Sequence, residues 1–206
     1  MTIHDDQQTI DRVLKTWFED EATGSMDLPQ PARWFNGGKT FDDLLTKRFT
    51  QTLDDANAGK LDHWQTSANG ALALVIVLDQ FNRNIHRKTA KAFAHDAQAL
   101  IISEQALQQG FDERLPLVQR IFLYLPFEHS ESMAAQERSV ALFSSLIQQA
   151  PDNLQDFAQK TLDAAIEHKN IVDQFGRYPY RNDVLERVNS ADEIKWLEKQ
   201  QRRFGQ

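Results

Sequence analysis

The longest apolar run of the chain is Ala71-Leu-Ala-Leu-Val-Ile-Val-Leu78. A segment that is apolar on every side is compatible with either a buried strand or a buried helix. The flanking sequence has neither the alternating pattern nor the turn pairs that accompany strands, and Ser67 or Asn69 is well placed to cap a helix. We therefore predict a central helix that is buried all round. Its eight apolar residues are too few to cross a membrane, which takes about 20.

Helical periodicity extends from this run toward the N-terminus. Apolar residues recur at i, i+3, i+4 and i+7 in residues 10–18 and again in residues 41–53. Trp34 and Phe35 stand between these two stretches, after the breaker-rich residues 24–31. We expect Trp34 and Phe35 to lie in a loop that their two large rings anchor to the core.

Cap and breaker residues divide the rest of the chain into further helices. Asp96 is predicted to cap one helix, and Pro126 is predicted to stop the next one. Gly176 is predicted to end the longest helix, and Ser190 with Glu193 has the capping-box spacing that starts the last one. These signals predict an all-α protein of about eight or more helices in a single domain over residues 1–206. Short connections predict antiparallel neighbours stacked into an array.

The composition agrees with a helical protein and excludes several functions. Eight glycines and six prolines are few for 206 residues, which favours long helices. The absence of cysteine excludes disulfides, thiolate catalysis and cysteine-ligated zinc. A formal net charge of −7 disfavours nucleic-acid binding, and we interpret the basic residues Lys195, Lys199, Arg202 and Arg203 as cations suited to a helix C-terminus. Since the first residues lack the regions of a secretory signal, we expect a cytoplasmic protein without cofactor, nucleic acid or membrane, and the oligomeric state stays open.

Polar side chains interrupt apolar sequence at four separate places. Asp79 and Arg83 directly follow the apolar run and are i, i+4 neighbours on one helix face. The other interruptions are a Glu-His pair after an apolar segment, a histidine on the apolar face of the longest helix, and an aromatic loop with two arginines. If these side chains converge, they form a buried polar network or line a pocket. The candidate site residues are Asp79, Gln80, Arg83, Asn84, Glu128, His129, His168, Arg177, Arg181 and Asn182.

Five ordered motifs carry a resemblance to a known family. They are Trp34-Phe35, Phe41-Asp42, Leu78-Asp79-Gln80-Phe81-x-Arg83-Asn84, Phe122-Leu-Tyr-Leu-Pro-Phe-Glu128-His129-Ser130 and His168-x-x-Ile-x-x-x-Phe-Gly-Arg177-x-Pro-x-Arg181-Asn182. Over residues 9–197 the chain resembles the uncharacterised bacterial family called domain of unknown function 924. The resemblance implies a tetratricopeptide-like stack of antiparallel helix pairs and brings no established activity. Tyr180 stands where this family often has histidine, which weakens any metal scheme that needs an imidazole there, and Asn82 stands where it often has proline.

Three functions remain open at this point. In the first, the helical array binds a small anionic molecule or a peptide carboxylate through the arginines of the candidate site, whose forked guanidinium groups suit such oxygens. In the second, a hydrolase- or lyase-type enzyme uses Glu128, His129 and His168 as acid–base groups. In the third, the candidate residues form a structural network in a scaffold. No His-x-x-x-His or His-Glu-x-x-His spacing is present, so no metal ligand is predicted.

Overall fold

The computed structural model describes residues 3–20, 23–36 and 38–199. Within these ranges it contains nine helices and no strand, which confirms the all-α prediction. The helices are α1 (Ile3–Phe18), α2 (Pro31–Asn36), α3 (Gly38–Asn57), α4 (Ala68–Val75, continued by Ile76–Phe81 and Asn82–Ile85), α5 (Asp96–Gln108), α6 (Leu117–His129), α7 (Met133–Gln149), α8 (Gln155–Phe175) and α9 (Ala191–Lys199). Short 3₁₀ turns connect several of them: Asp62–Thr66, Ala90–Phe93, Asp112–Arg114, Asp152–Leu154 and Pro179–Arg181.

The core forms around α4. Its residues from Ala71 to Leu78 are at most 1% exposed, and helices α1, α3, α5 and α6 pack against it. The Ser67 side chain caps the helix by accepting a hydrogen bond from the Gly70 N–H at 3.2 Å. Burying each Leu, Ile or Val contributes about 1.5–3 kcal/mol, which outweighs the modest cost of β-branched residues in a helix. The predicted central helix is confirmed.

Aromatic rings from α1, α2 and α6 meet beside α4. The Phe122 ring centroid lies 4.6 Å from that of Trp34 and 5.6 Å from that of Trp17, and Trp34 Nε1–H donates to the Trp17 carbonyl at 2.8 Å. Trp34 therefore anchors this segment to the core, as predicted. The prediction is wrong for Phe35, which is 62% exposed and not anchored in the core. It is also wrong in expecting a loop, because both residues lie in helix α2. Successive residues of a helix point about 100° apart, so only one of the two rings faces inward.

Pro126 does not stop α6, which continues through it to His129. A proline inside a helix removes one backbone hydrogen bond and costs about 3 kcal/mol. Every residue from Ile121 to Glu128 is buried, and α6 packs closely against α5 and α7. This packing outweighs the cost of the proline, so the prediction of a stop at Pro126 is wrong. As a result, Glu128 and His129 belong to the last turn of α6, which faces α4.

The predicted helix ends are confirmed at the C-terminal part of the chain. Gly176 ends α8 in the left-handed conformation with φ +70°, which glycine adopts without strain. The N-terminus of α9 has a reciprocal capping box, because the Ser190 N–H donates to Glu193 Oε2 at 2.6 Å and the Glu193 N–H donates to Ser190 Oγ at 3.2 Å. Of the predicted basic group, Lys195 and Lys199 lie in α9, whereas Arg202 and Arg203 lie outside the described residues.

The predicted cap at Asp96 is wrong. His95 is the N-cap residue of α5 and Asp96 is its first helical residue. The Asp96 carboxylate instead binds the arginines of α4 and of the turn 179–181, because two charged guanidinium groups are stronger partners than backbone N–H groups. None of the helices in the described ranges combines the length and apolarity that crossing a bilayer needs.

Candidate functional site

Most of the candidate residues meet where the end of α4, the last turn of α6, α8 and the turn 179–181 come together. We call this group the Asp79 cluster. It consists of Asp79, Gln80, Arg83, Asp96, Glu128, His129, His168 and Arg181. These contacts join residues that are up to 85 positions apart in the sequence. The candidate side chains of the cluster therefore converge, as the sequence predicted.

Asp79 lies at the centre of the cluster and is completely buried. Its Oδ1 atom lies 2.8 Å from Nδ1 of His129 and 2.8 Å from Nη1 of Arg83. Its Oδ2 atom accepts a hydrogen bond from Gln80 Nε2 at 2.5 Å. Burial by itself raises the pKa of Asp79, but the charge of Arg83 and the hydrogen bonds from His129 and Gln80 outweigh it and hold the pKa well below its usual range. Asp79 is therefore ionised at neutral pH.

The backbone that carries Asp79 is unusual. Residues Ile76–Phe81 form a π-helical segment in the middle of α4. Such single-turn insertions are rare in proteins and are frequent at functional sites, because the extra residue turns side chains away from the direction that a regular helix gives them. Both Asp79 and Gln80 belong to this segment.

Asp96 joins the two arginines of the cluster. Arg83 donates to both carboxylate oxygens of Asp96, at 2.8 and 2.9 Å. Arg181 donates to Asp96 Oδ2 at 3.2 Å and to the His129 carbonyl at 3.0 Å. The guanidinium of Arg181 also lies between two rings, 4.6 Å from the Phe93 centroid and 4.5 Å from the Tyr178 centroid. Asp96 thereby links α4, α5 and the turn 179–181 around His129.

Glu128 and His168 form the deepest part of the cluster. Glu128 Oε1 lies 3.2 Å from His168 Nδ1, and the two side chains are only 6% and 7% exposed. His168 Nδ1–H donates to the Ala164 carbonyl at 2.8 Å. Burial, together with the negative charges of Asp79 and Glu167, raises the pKa of Glu128 to about 8, and burial lowers the pKa of His168 to about 3. At neutral pH the contact therefore joins a carboxylic acid to a neutral imidazole.

His129 faces the only part of the cluster that we find partly open among the described residues. Its side chain is 15% exposed, and those of Arg83 and Asp96 are 18% and 15% exposed. Burial and the charge of Arg83 lower the pKa of His129 despite Asp79, so the ring is neutral. Because an ionised carboxylate only accepts hydrogen bonds, Nδ1 carries the proton and Nε2 is an unprotonated acceptor. Within the described residues, Nε2 has no hydrogen-bond partner.

Comparisons with known proteins show the family to which the chain belongs. A family model described as a bacterial protein of unknown function, DUF924, matches residues 13–201. The chain belongs to this family. A solved structure of a protein of unknown function from Agrobacterium tumefaciens is 33% identical to it, covers 95% of this chain and 100% of its own, and has a TM-score of 0.81. None of the curated proteins matches the chain. A DUF924 chain carries no assigned activity, so function has to be argued from the site.

Three predicted residues of this DUF924 chain lie outside the Asp79 cluster. Asn84 donates to Asp42 Oδ1 at 2.8 Å. Asn182 donates to Asn189 Oδ1 at 2.6 Å inside its own loop. The third, Arg177, binds Glu193 of α9 at 2.7 and 2.8 Å and belongs to a different surface.

The ten candidates did not include Asp96, which is a member of the cluster, nor Gln136 and Tyr178, which support it. Gln136 Nε2 donates to the Glu128 carbonyl at 2.7 Å and to the Tyr178 hydroxyl at 2.7 Å, and that hydroxyl donates to the same Glu128 carbonyl. Gln136 is completely buried and lies on the apolar face of α7, four residues before Val140. A polar residue in an apolar stripe is the signal that identified His168, and it applies equally to Gln136.

A metal site receives no support from the geometry. Among the residues that the structure describes, no three His, Asp or Glu side chains are grouped so that they could hold a metal ion. Within the cluster, Asp79 and Asp96 already bind arginines.

Proposed function

We propose that the Asp79 cluster is the acid–base site of an enzyme that acts on a small polar substrate by hydrolysis or elimination. In this site His129 exchanges a proton with the substrate or with water through Nε2. Asp79 holds the imidazole ring, and Glu128 is a neutral carboxylic acid in the deeper part of the same cluster. In a hydrolysis, His129 would accept a proton from the attacking water at the partly open edge and return it to the leaving group.

The observation that carries this proposal is that the two nitrogens of the His129 ring have different surroundings. Nδ1 is bound at 2.8 Å by a buried, ionised aspartate, whereas Nε2 has no partner among the described residues and lies at the partly open edge. An aspartate on one imidazole nitrogen fixes the tautomer, orients the ring and stabilises the imidazolium that forms when the other nitrogen takes a proton.

Glu128 strengthens the proposal because its environment is opposite to that of Asp79. Asp79 is held ionised by Arg83, and Glu128 is held protonated by burial without a cationic partner. Two carboxyl groups whose surroundings push their pKa values apart are characteristic of sites where one acid donates a proton and the other stabilises charge. A pKa of about 8 leaves Glu128 able to donate a proton near neutral pH.

The geometry supports acid–base chemistry better than binding of an anion at this cluster. The guanidinium of Arg83 is neutralised by Asp79 and Asp96, and that of Arg181 shares Asp96. An incoming carboxylate would have to displace a bidentate partner that is already held in place. A purely structural network remains the competing interpretation, and the experiment below separates the two.

The test uses the full chain with a panel of chromogenic esters, phosphate esters and glycosides. We expect turnover of at least one class, and a decrease of about 10²–10⁴-fold in His129→Gln because general acid–base catalysis contributes by that factor. The matched control is His63→Gln. His63 also pairs with an aspartate, Asp6, at 3.0 Å, but its side chain is 53% exposed.

Two outcomes would contradict the proposal. One is an activity that His129→Gln leaves at the level of His63→Gln. The other is no turnover across the panel while His129→Gln lowers the melting temperature far more than His63→Gln does. The second outcome would favour the structural network.

We further infer that the helices stack in the tetratricopeptide-like manner and that the protein acts in the cytoplasm. The stacking is supported by α6, α7 and α8, which follow one another through connections at residues 130–132 and 150–154 and pack on each other in that order. So short a connection cannot return along a helix of this length, so neighbours run antiparallel. The location is supported by a chain that is acidic and lacks cysteine.

A further inference from the structure

A cleft lies apart from the Asp79 cluster, between the C-terminal end of α8 and α9. Its volume is about 510 Å³, within the range of about 300–1,000 Å³ that is usual for small-molecule sites. No residue of the Asp79 cluster lines it. Arg177, which the sequence analysis predicted to bind an anion, lines the cleft.

One side of the cleft is aromatic. The rings of Phe175 and Trp196 meet edge to face, with centroids 5.6 Å apart and an interplanar angle of 65°. Both residues are partly buried against a small second core of Ile171, Val172 and Tyr178. This support holds the two rings in place and leaves part of their surface toward the cleft, which suits a flat apolar group.

The lining of the cleft also includes cationic groups with unused donors. Arg177 donates from Nε to Glu193 Oε1 at 2.7 Å and from Nη2 to Glu193 Oε2 at 2.8 Å. Its Nη2 also donates to the Val188 carbonyl. Its remaining nitrogen, Nη1, has no partner in the described part of the chain. Lys199 lines the cleft and likewise forms no ion pair with any described residue.

The acidic groups of the cleft are already occupied. Glu193 is 2% exposed and binds Arg177 as well as the Ser190 N–H. Arg177 lowers the pKa of Glu193 to about 2, so this carboxylate stays ionised and bound. Asp192 lies 3.5 Å from Lys195 at the rim. The charged groups of the lining with donors left for a ligand are therefore cations, beside the neutral Gln174 and Ser190.

We propose that this cleft binds a small aryl carboxylate. Its ring would lie against Phe175 and Trp196, and its carboxylate would accept hydrogen bonds from Lys199 and from Nη1 of Arg177. The geometry brings two aromatic rings and two cationic groups together in one cleft of ligand size, which suits a ring with an anionic substituent. This binding is independent of the acid–base chemistry proposed for the Asp79 cluster.

The test follows indole N–H signals by NMR during titration of the full chain with phenylacetate. Trp17, Trp34 and Trp64 are each at most 5% exposed, so Trp196 is the tryptophan that a ligand can approach, and Trp196→Phe assigns its signal. We expect a saturable shift of the Trp196 signal with phenylacetate. Phenylacetamide has the same ring without the charge and is expected to bind several-fold more weakly.

Variants show whether the cationic groups are responsible. Lys199→Gln should weaken phenylacetate binding by up to about fivefold, the range of a single exposed ion pair. Lys47→Gln, on α3 and away from the cleft, should leave binding unchanged, as should His129→Gln. Three results would overturn the proposal: no saturable shift at Trp196, equal binding of phenylacetamide, or equal weakening by Lys47→Gln.

Discussion

Among the residues that the structure describes, two Asp–His pairs have nearly equal length and opposite surroundings. Asp6 Oδ2 lies 3.0 Å from Nε2 of His63, and Asp79 Oδ1 lies 2.8 Å from Nδ1 of His129. In the first pair the side chains are 11% and 53% exposed, whereas in the second they are 0% and 15% exposed. Distance alone does not distinguish the two pairs.

The two pairs differ in the groups that surround them and in their exposure to water. Asp6 has one further partner, the Trp64 Nε1–H at 3.3 Å, and water reaches most of His63. Asp79 is shielded from water, and its carboxylate oxygens also bind Arg83 and Gln80. In a low-dielectric site, charge and hydrogen bonds act more strongly than in water, both when they are satisfied and when one is removed. Burial and neighbouring charge, and not the Asp–His distance, therefore make the Asp79–His129 pair the candidate for catalysis.

The largest expected effect comes from removing the buried charge. Asp79→Asn keeps the shape of the side chain but leaves Arg83 without this buried carboxylate, and breaking such a pair costs about 3–5 kcal/mol. The same change in the first pair, Asp6→Asn, should cost about 1 kcal/mol or less, because its imidazole partner His63 is 53% exposed. Urea unfolding of both variants at pH 7 gives the two free energies. Similar losses would show that burial does not separate the pairs.

A smaller effect is expected from the carboxylate that braces the buried pair. Asp96→Asn weakens the charged hydrogen bonds that Asp96 accepts from Arg83 and Arg181, and a hydrogen bond to a charged group is worth about 1.5–3 kcal/mol. Asp43→Asn is the matched control, since Asp43 forms an exposed contact with Lys39 on α3 and its loss should leave stability unchanged. If Asp96→Asn unfolds at the same urea concentration as Asp43→Asn, the brace has no energetic role.

A third effect is expected in the dependence of stability on pH. Glu128 has a pKa of about 8 in the folded protein and an ordinary value of 4.5. Between these two pH values the unfolded chain releases a proton that the folded protein retains, so stability falls as pH rises. We expect wild type to lose at least about 1.4 kcal/mol relative to Glu128→Gln between pH 5 and 8, the equivalent of one pKa unit.

Urea unfolding at the two pH values measures this difference. Glu137→Gln, which changes an exposed carboxylate on α7, serves as the control and should keep the wild-type dependence on pH. A Glu128→Gln variant whose pH dependence equals that of wild type would show that Glu128 is ionised like an exposed carboxylate.

The fold was predictable where local signals and burial agree. The apolar run at residues 71–78, the glycine at 176 and the Ser190 capping box each determined an element correctly. The prediction failed at Pro126, because tertiary packing of α6 outweighs a local preference against proline. It failed at Phe35 because residue type alone does not tell which of two adjacent aromatic residues faces inward.

The site was predictable only in part, for a related reason. Asp79 and His168 are recognisable because a polar residue interrupts an apolar stripe, and Gln136 carries the same signal. Asp96 shows no such signal, since an acidic residue at the start of a helix is suited to the helix terminus by itself. Its role depends on Arg181, which is 85 residues away in sequence. Such pairings depend on how helices stack, and one sequence does not specify them locally.

The most direct test of the central claim is the protonation of the His129 ring at pH 7, observed in long-range ¹H–¹⁵N correlation spectra and assigned with His129→Gln. We predict a neutral ring with the proton on Nδ1 and an unprotonated Nε2. The second Asp–His pair has the opposite orientation, since Asp6 faces Nε2 of His63, so that ring provides an internal reference. A proton on Nε2 of neutral His129, or a doubly protonated ring, would contradict the account.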